Sequence, residues 1–326
     1  MPADPGALGA IGRTPLVQLS RIAPAGCARI VAKLEFTNPT GSMKDRVARA
    51  MIGAAEHDGR LPPNGTVVEY TSGTTGISLA FVCAATRHSL EVVFSDAFSP
   101  DKRATMEAFG ARVTTVPSHG GGITEAVIRG MVARAEEIAR RPGHWLCDQL
   151  NNRDGAAGYH GLGEELWQQT DGEVDAFVQG VGTGHCLIGT SEALRRHRTN
   201  LEVVAVEPAE SPVLSGGATG AHRIEGVGIG YLPPLWDPAV ATEIQAVSTD
   251  EAQRTARRLA VEEGLFAGTS SGANVAAAVR VARRLGPRAT VATLLVDSGF
   301  RYLSTDLYRP PVPVSHDPSD RAPGRV

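Results

Sequence analysis

The 326-residue sequence has few lysines, no strong excess of charge of either sign and no long apolar run. Its formal net charge of −3 gives no electrostatic reason to expect binding to nucleic acid or to an anionic membrane. No stretch reaches the ~18 uninterrupted apolar residues that a membrane helix needs, and residues 1–10 lack the basic and apolar parts of a signal peptide. These absences predict a cytoplasmic protein that binds neither nucleic acid nor a membrane.

The cysteines and histidines show no pattern of a disulfide framework or a metal site. None of the four cysteines forms a C-x-x-C pair, and the nine histidines show neither H-x-H nor H-E-x-x-H spacing. Buried thiols and no bound metal are therefore expected. The cysteines are Cys27, Cys83, Cys147 and Cys186.

Arginine supplies nearly all of the positive charge. The only lysines are Lys33, Lys44 and Lys102, so 29 of the 32 basic residues are arginine. Because arginine serves the salt bridges and the solubility, each lysine is a candidate for chemistry that a guanidinium cannot perform.

Short apolar runs alternate with segments of helical period along the chain. Apolar residues recur at helical spacing around 47–54 and 128–138, as one buried helix face requires. The alternation predicts an α/β fold of mostly parallel twisted sheets flanked by helices. Buried strands are predicted at residues 29–34, 66–70, 90–94, 112–116, 174–179, 201–206 and 290–296.

The chain is about twice the usual domain length of ~100 to 200 residues, so two lobes are expected. Residues 151–155 form a polar break between two apolar blocks and predict a lobe boundary near residue 150. The segment 309–326 contains five prolines, which predicts an extended or disordered tail.

Lys44 follows a turn and stands at a predicted helix start. Residues 38–41 read NPTG, which is turn chemistry, and Ser42 and Asp45 match the S/T-x-x-D/E opening of a helix. With Ser42 as N-cap, the helix dipole would disfavour protonation of Lys44 and help to supply a neutral amine for a Schiff base. The alternative is a solvated surface lysine.

Two glycine-rich segments each join a strand to a helix. Residues 71–76 read TSGTTG, and their backbone N–H groups and hydroxyls could hold a small anion such as a carboxylate. Residues 180–186 read GVGTGHC and could hold a phosphate, although His185 replaces the third glycine of a dinucleotide fingerprint. Tight structural turns are the alternative interpretation of both.

A third motif points to a different enzyme class. Residues 268–272 read GTSSG and match the G-x-S-x-G nucleophile elbow of hydrolases, with Asp297 and His316 to complete a triad around Ser270. His316 lies in the proline-rich tail, and the run before Gly268 is short for a central strand. A serine hydrolase is therefore a remote alternative.

Taken together, these motifs resemble the cysteine synthase family of pyridoxal 5'-phosphate enzymes, which has the tryptophan synthase β-like fold type II. The resemblance runs from residues 11–17 (IGRTPLV) to residues 297–304 (DSGFRYLS). Residues 38–46 (NPTGSMKDR) and 263–273 (EGLFAGTSSGA) add to it. It implies a smaller mobile lobe at 40–150, a larger lobe at 1–39 plus 151–308, and a cofactor site in the cleft between them.

The resemblance also implies the site residues. Lys44 would bind the cofactor as a Schiff base and then act as the acid/base at the substrate Cα. The pyridine nitrogen would meet Ser270, with Ser271 as the nearest alternative. The substrate carboxylate would be held by Thr71, Ser72, Gly73, Thr75 and Gln149. The other cofactor contacts would come from Thr74, Gly182, Thr183, Gly184, His185 and Cys186.

The implied reaction is a β-replacement on an activated L-serine such as O-acetylserine. The leaving group departs to give an aminoacrylate, and sulfide or another small nucleophile then adds at Cβ to complete an amino-acid biosynthesis. The implied assembly is a homodimer. A β-eliminating dehydratase or cysteine desulfhydrase would use the same lysine and loops. A cofactor-holding scaffold is another alternative, against which Lys44 and Gln149 argue.

Four residues depart from the family pattern, in three places. Thr74 stands where asparagine is usual, His185 and Cys186 replace a common Gly-Thr pair, and Phe300 stands where a polar residue or glycine is more frequent. Thr74 bears on ligand orientation, and Phe300 could reshape the nucleophile's entrance. The backbone donors of the phosphate loop remain, so phosphate binding is expected to survive.

Overall fold

The computed structural model describes residues 6–119 and 124–309. The expected tail therefore lies outside the described residues except for Arg309. Eight α-helices lie in the described segments: α1 (Lys44–His57), α2 (Thr74–Thr86), α3 (Pro100–Ala108), α4 (Glu125–Ala139), α5 (His160–Gln169), α6 (His185–His197), α7 (Thr249–Arg258) and α8 (Thr269–Leu285).

The strands form two sheets. The larger contains β1 (Leu16–Gln18), β2 (Arg29–Leu34), β7 (Ala176–Gly180), β8 (Glu202–Pro208), β9 (Glu243–Val247) and β10 (Thr290–Leu295), in the order β1-β2-β10-β7-β8-β9. The smaller contains β3 (Thr66–Tyr70), β4 (Ser89–Ser95), β5 (Arg112–Val116) and β6 (His144–Leu146), in the order β5-β4-β3-β6. All pairings are parallel except that of β1 with β2.

The predicted α/β class is confirmed, and each predicted strand is present to within two residues at either end. The strands β3, β7 and β10 are buried along their whole length, because helices cover both faces of a parallel sheet. The strands β1, β6 and β9 were not predicted. Two of them have only three residues, and β9 is largely half-exposed.

The helix faces pack as the apolar spacing predicts. Met131, Ala135 and Ile138 of α4 lie in one buried cluster with Val68 and Val93 of the smaller sheet. The strands of the smaller sheet all lie between residues 66 and 146, and those of the larger sheet lie before and after them, in the same order along the chain as the predicted lobes. The lobe bounds at 40–150 and at 1–39 plus 151–308 stay a prediction. No helix within residues 6–119 or 124–309 is long and apolar enough to cross a membrane.

The carboxyl ends of the central strands carry the candidate site. In open parallel sheets, ligands bind outside these ends, where loops leave the sheet for the next helix. Here β3 leads into α2, β7 leads into α6, and β10 ends beside the segment that opens α1.

Candidate active site

Lys44 opens helix α1 directly beside the end of β10. The Met43 N–H donates to the Val296 carbonyl at 2.9 Å, and the Ser298 N–H donates to the Gly41 carbonyl at 3.0 Å. Ser42 is thereby held in extended pairing with Asp297. This pairing fixes the lysine at the carboxyl end of the larger sheet.

The predicted N-cap is wrong. The residue before the helix is Met43, which already has helical backbone angles, and Ser42 lies one residue further out. The Ser42 hydroxyl accepts the Lys44 N–H at 3.2 Å, while the Asp45 carboxylate reaches back to the N–H of Thr40 at 2.8 Å. The pairing of residues 41–43 with residues 296–298 places Ser42 outside the N-cap position. Lys44 still lies in the first turn of α1.

Burial makes the Lys44 amine a weaker base. Part of the side chain remains exposed, yet desolvation is the largest influence and lowers the pKa of Lys44. The nearby Cys186 and Asp297 act in the opposite direction. Because a buried ammonium loses its hydration, a neutral nucleophilic amine forms at lower pH than on an exposed lysine.

A buried ion network holds the base of α1 in place. The Arg46 guanidinium contacts the Glu35 carboxylate at 2.8 and 2.9 Å and the Glu165 carboxylate at 2.8 and 2.9 Å. Lys33 adds a 2.7 Å ion pair to Glu165. The network joins α1 to α5 and to the end of β2, so Lys33 has a structural role and Lys44 remains the lysine of the site.

The first glycine-rich loop runs from β3 into α2. The Thr71 hydroxyl accepts the Gly73 N–H at 3.0 Å. Gly73 has a φ of +130°, and a Cβ on it would lie 2.4 Å from the Cδ of Lys102. Glycine is therefore required here, and no side chain covers the backbone at this position before α2.

Gln149 meets this loop from the segment after β6. The Thr75 hydroxyl donates to the side-chain carbonyl of Gln149 at 2.7 Å. The structure thus brings together four of the predicted carboxylate-binding residues: Thr71, Gly73, Thr75 and Gln149. Ser72 lies beside them with its side chain exposed, and Thr74 is half-buried at the first position of α2.

The second glycine-rich loop runs from β7 into α6. A Cβ on Gly182 would lie 2.4 Å from the Gly226 carbonyl oxygen, so the loop can approach that backbone only with glycine. Gly184 has a φ of +95° and precedes α6. The free N–H groups of this helix start can receive an anion.

The two residues that depart from the usual Gly-Thr pair are both buried. Burial raises the pKa of the Cys186 thiol to about 12, so the thiol is neutral. The His185 ring contacts the Asn152 carbonyl at 2.7 Å and the Thr183 hydroxyl at 2.9 Å. Burial, with Lys44 as a minor cause, lowers the pKa of His185 to about 4.

The chain is similar to known proteins over almost its whole length. The family described as "Pyridoxal-phosphate dependent enzyme" matches residues 7–297. The chain belongs to this family. A cysteine synthase of Staphylococcus aureus is 42% identical over 301 residues, which is 91% of this chain and 95% of that protein.

Solved structures of family members have the same fold. A cysteine synthase from Entamoeba histolytica superposes with a TM-score of 0.89 at 33% identity, covering 94% of this chain and 91% of that one. An O-acetylserine dependent cystathionine beta-synthase from Helicobacter pylori gives 0.86 at 34% identity, covering 95% and 100%. The expected family, fold type, cofactor and β-replacement class are confirmed.

The residues present fit pyridoxal phosphate. Its aldehyde requires an amine such as that of Lys44, whose pKa is lowered. Its phosphate requires backbone N–H groups such as those at the glycine-rich start of α6, and its ring nitrogen requires a polar partner such as a buried hydroxyl at the start of α8. Ser270 lies buried in the first turn of α8. The hydroxyl of Ser271 accepts the Val296 N–H at 2.8 Å, which leaves Ser270 as the better candidate.

The geometry around Ser270 does not resemble a hydrolase elbow. That motif needs a strand directly before the serine, whereas Ala267 forms only an isolated bridge to Ser298. The proposed base His316 lies outside the described residues. The family assignment and the missing strand both count against the hydrolase alternative.

The sequence did not reveal an ion pair across the predicted cleft. Lys102 on α3 contacts Glu225 at 2.6 Å, with 13% of the lysine side chain and 42% of the glutamate side chain exposed. Lys102 covers Gly73, while the N–H of Glu225 donates to Thr269 at the start of α8. The pair therefore links the first loop to the start of α8.

Phe300 is exposed at the turn that follows Asp297. Its ring is 74% exposed and packs edge-on against Phe266, with 5.2 Å between the ring centroids. The neighbouring Asp297 is buried, and burial raises its pKa to about 6. An apolar rim therefore stands beside a buried carboxyl near Lys44.

Proposed function

We propose that this chain makes L-cysteine by β-replacement on O-acetyl-L-serine, with sulfide as the nucleophile. The observation that carries the proposal is the placement of Lys44, whose pKa is lowered by burial, at the strand ends that also bear the two anion-binding loops. The 42% identity to a cysteine synthase over 91% of the chain supports the choice of substrates.

Each loop has a separate task in this proposal. The loop 182–186 binds the cofactor phosphate through backbone N–H groups at the start of α6. The loop 71–75 binds the substrate carboxylate, and Gln149 fixes the hydroxyl of Thr75 in that loop. Thr74, at the first position of α2, would offer its hydroxyl to the cofactor.

Lys44 performs the proton transfer. Bound pyridoxal phosphate supplies the electron sink that stabilises negative charge at the substrate Cα. Lys44 would hold the cofactor through its side-chain amine and, once the substrate is bound, would remove the proton from the substrate Cα. A neutral amine is needed for both tasks, and burial of Lys44 provides it.

Ser270 favours departure of the acetate. A hydroxyl beside the pyridine nitrogen does not keep that nitrogen protonated as a carboxylate would. A cofactor held beside Ser270 would therefore be a weaker electron sink, which would favour loss of a β-leaving group from the substrate.

We further propose that residues 40–150 form a smaller lobe that closes over the bound carboxylate, and that the chain acts as a cytoplasmic homodimer. The position of the smaller sheet's strands between residues 66 and 146 supports the lobe. Closure would exclude water from the reacting centre.

The test is spectroscopic and chemical. The purified protein is expected to absorb visible light, to change its spectrum on addition of O-acetylserine, and to release cysteine when sulfide follows. Lys44→Ala should lose the spectral response and the product. Glu136→Gln on the exposed face of α4 is the control and should keep both.

Other outcomes decide against the proposal. Pyruvate formed at the same rate with and without sulfide would favour β-elimination. A colourless protein that cannot be reconstituted with pyridoxal phosphate, and in which an organophosphorus probe labels Ser270, would favour a hydrolase.

A further inference from the structure

The hydrogen bonds of His185 fix where its ring carries hydrogen. Its Nε2 lies 2.7 Å from the Asn152 carbonyl oxygen, which can only accept, so Nε2 carries a hydrogen. A neutral ring then has a lone pair on Nδ1. Thr183 Oγ1 lies 2.9 Å from Nδ1 and must therefore donate its single hydrogen to the ring.

The ring has no room to turn away from this arrangement. Both His185 and Thr183 are buried. A Cβ on Gly155, in the turn Arg153–Tyr159, would lie 2.8 Å from Nε2 and 2.8 Å from the Val47 side chain, so backbone and α1 enclose the ring. Lys44 on α1 is the charged group that acts on the ring, while the segment with Asn152 presents a carbonyl to it.

A phosphate on this loop competes for the same hydrogen. Phosphate oxygens accept hydrogen bonds. The Thr183 hydroxyl has a single hydrogen to donate, and it already donates this hydrogen to Nδ1 of His185. If the ring gains a proton, Nδ1 becomes a donor to Thr183 Oγ1, and the hydroxyl hydrogen is free to turn to the phosphate.

We propose that His185 takes up one proton from solvent when the loop 182–186 binds the cofactor's phosphate group, so that His185 donates to Thr183 and Thr183 donates to the phosphate. This inference rests on the proposed function of the loop. It makes His185 a positioning residue for the cofactor, with its new positive charge beside the phosphate dianion.

A pH dependence of cofactor affinity follows. Binding raises the pKa of His185 from its lowered value, so affinity is strengthened by protons and decreases as pH rises between the free and bound pKa values. For one proton the decrease approaches about tenfold per pH unit, over and above that from the phosphate's own titration.

The first experiment counts protons. The cofactor-free full chain is titrated calorimetrically with 4'-deoxypyridoxine 5'-phosphate, which lacks the aldehyde and cannot react with Lys44. Buffers of different ionisation enthalpy give the number of protons taken up. His185→Gln is the matched variant, because an amide can donate and accept but does not titrate.

Wild type should take up close to one proton more than His185→Gln. Thr183→Val is the second variant, which keeps the backbone donors and should also lose the extra proton. Binding with equal proton numbers in all three proteins overturns this inference alone. Absence of binding to every one of them overturns the loop assignment as well.

The second experiment uses the holoenzyme. In ¹⁵N-histidine spectra, the His185 signals are assigned by their loss in His185→Gln. Both ring nitrogens should be protonated at neutral pH with the cofactor bound. A single protonated nitrogen would show that Thr183 still donates to the ring, contrary to the proposal.

Discussion

Glu69, in the strand that leads into the first glycine-rich loop, provides a test of how burial affects a carboxyl group. It lies fully buried in β3, where one carboxylate oxygen accepts the Tyr70 N–H at 2.9 Å and the other accepts the Gln149 N–H at 3.2 Å. Burial is the largest influence and raises the pKa of Glu69 from 4.5 to about 8, against the effect of these two hydrogen bonds.

The sign of the stability effect follows from proton counts. Between pH 4.5 and 8 the unfolded Glu69 is ionised and the folded one is protonated, so folding takes up a proton. Stability from this group is therefore fully present below pH 4.5 and is lost as pH rises towards 8. The slope is about 1.4 kcal/mol per pH unit, which gives about 3 kcal/mol between pH 5.5 and 7.5.

The assay is denaturant unfolding of wild type and Glu69→Gln at several pH values in that range. Titrations common to both proteins cancel in the difference. The stability advantage of wild type over Glu69→Gln should shrink by about 3 kcal/mol between pH 5.5 and 7.5. Glu136→Gln on the exposed face of α4 is the control and should track wild type. Parallel pH curves for wild type and Glu69→Gln would refute the reasoning.

Three further predictions concern the site and its support. Gln149→Ala should raise KM for O-acetylserine by about 10- to 100-fold, the loss of one hydrogen bond in a charged site, with the visible spectrum of the resting enzyme unchanged. Lys102→Met and Glu225→Gln should each raise KM by up to about fivefold, and the double variant by no more, because a partly exposed pair contributes only about 0.2 to 1 kcal/mol. Arg46→Met should lower the free energy of unfolding by about 3 to 5 kcal/mol, since it leaves the buried Glu35 carboxylate without its partner; unfolding curves check this.

The parts of the site made of backbone could be predicted from the sequence. Continuous apolar runs identify buried parallel strands, and a glycine-rich stretch after such a strand identifies a loop whose N–H groups lie open at a helix start. Gly73 and Gly182 are required by contacts from Lys102 and from the Gly226 backbone, which explains why the composition of the loops carries the signal.

The contacts made by side chains between distant segments could not be predicted. Glu225 is 123 residues from Lys102, and Asn152 is 33 residues from His185. No local pattern records which way these side chains point. The only signal for His185 was its place in a loop where glycine is common, and that did not reveal that its ring contacts Thr183 and Asn152.

Lys44 shows why a wrong local detail can leave the chemistry intact. The prediction placed Ser42 directly before the helix as its N-cap, but Ser42 lies one residue further out and pairs with Asp297. That same pairing brings the lysine beside the end of β10, where burial has the largest effect on its amine. The predicted consequence, a weaker base, therefore arises from desolvation. Measuring the pKa of Lys44 at increasing salt concentration should distinguish the two causes. Salt weakens the effect of an exposed helix dipole but leaves the effect of desolvation nearly unchanged.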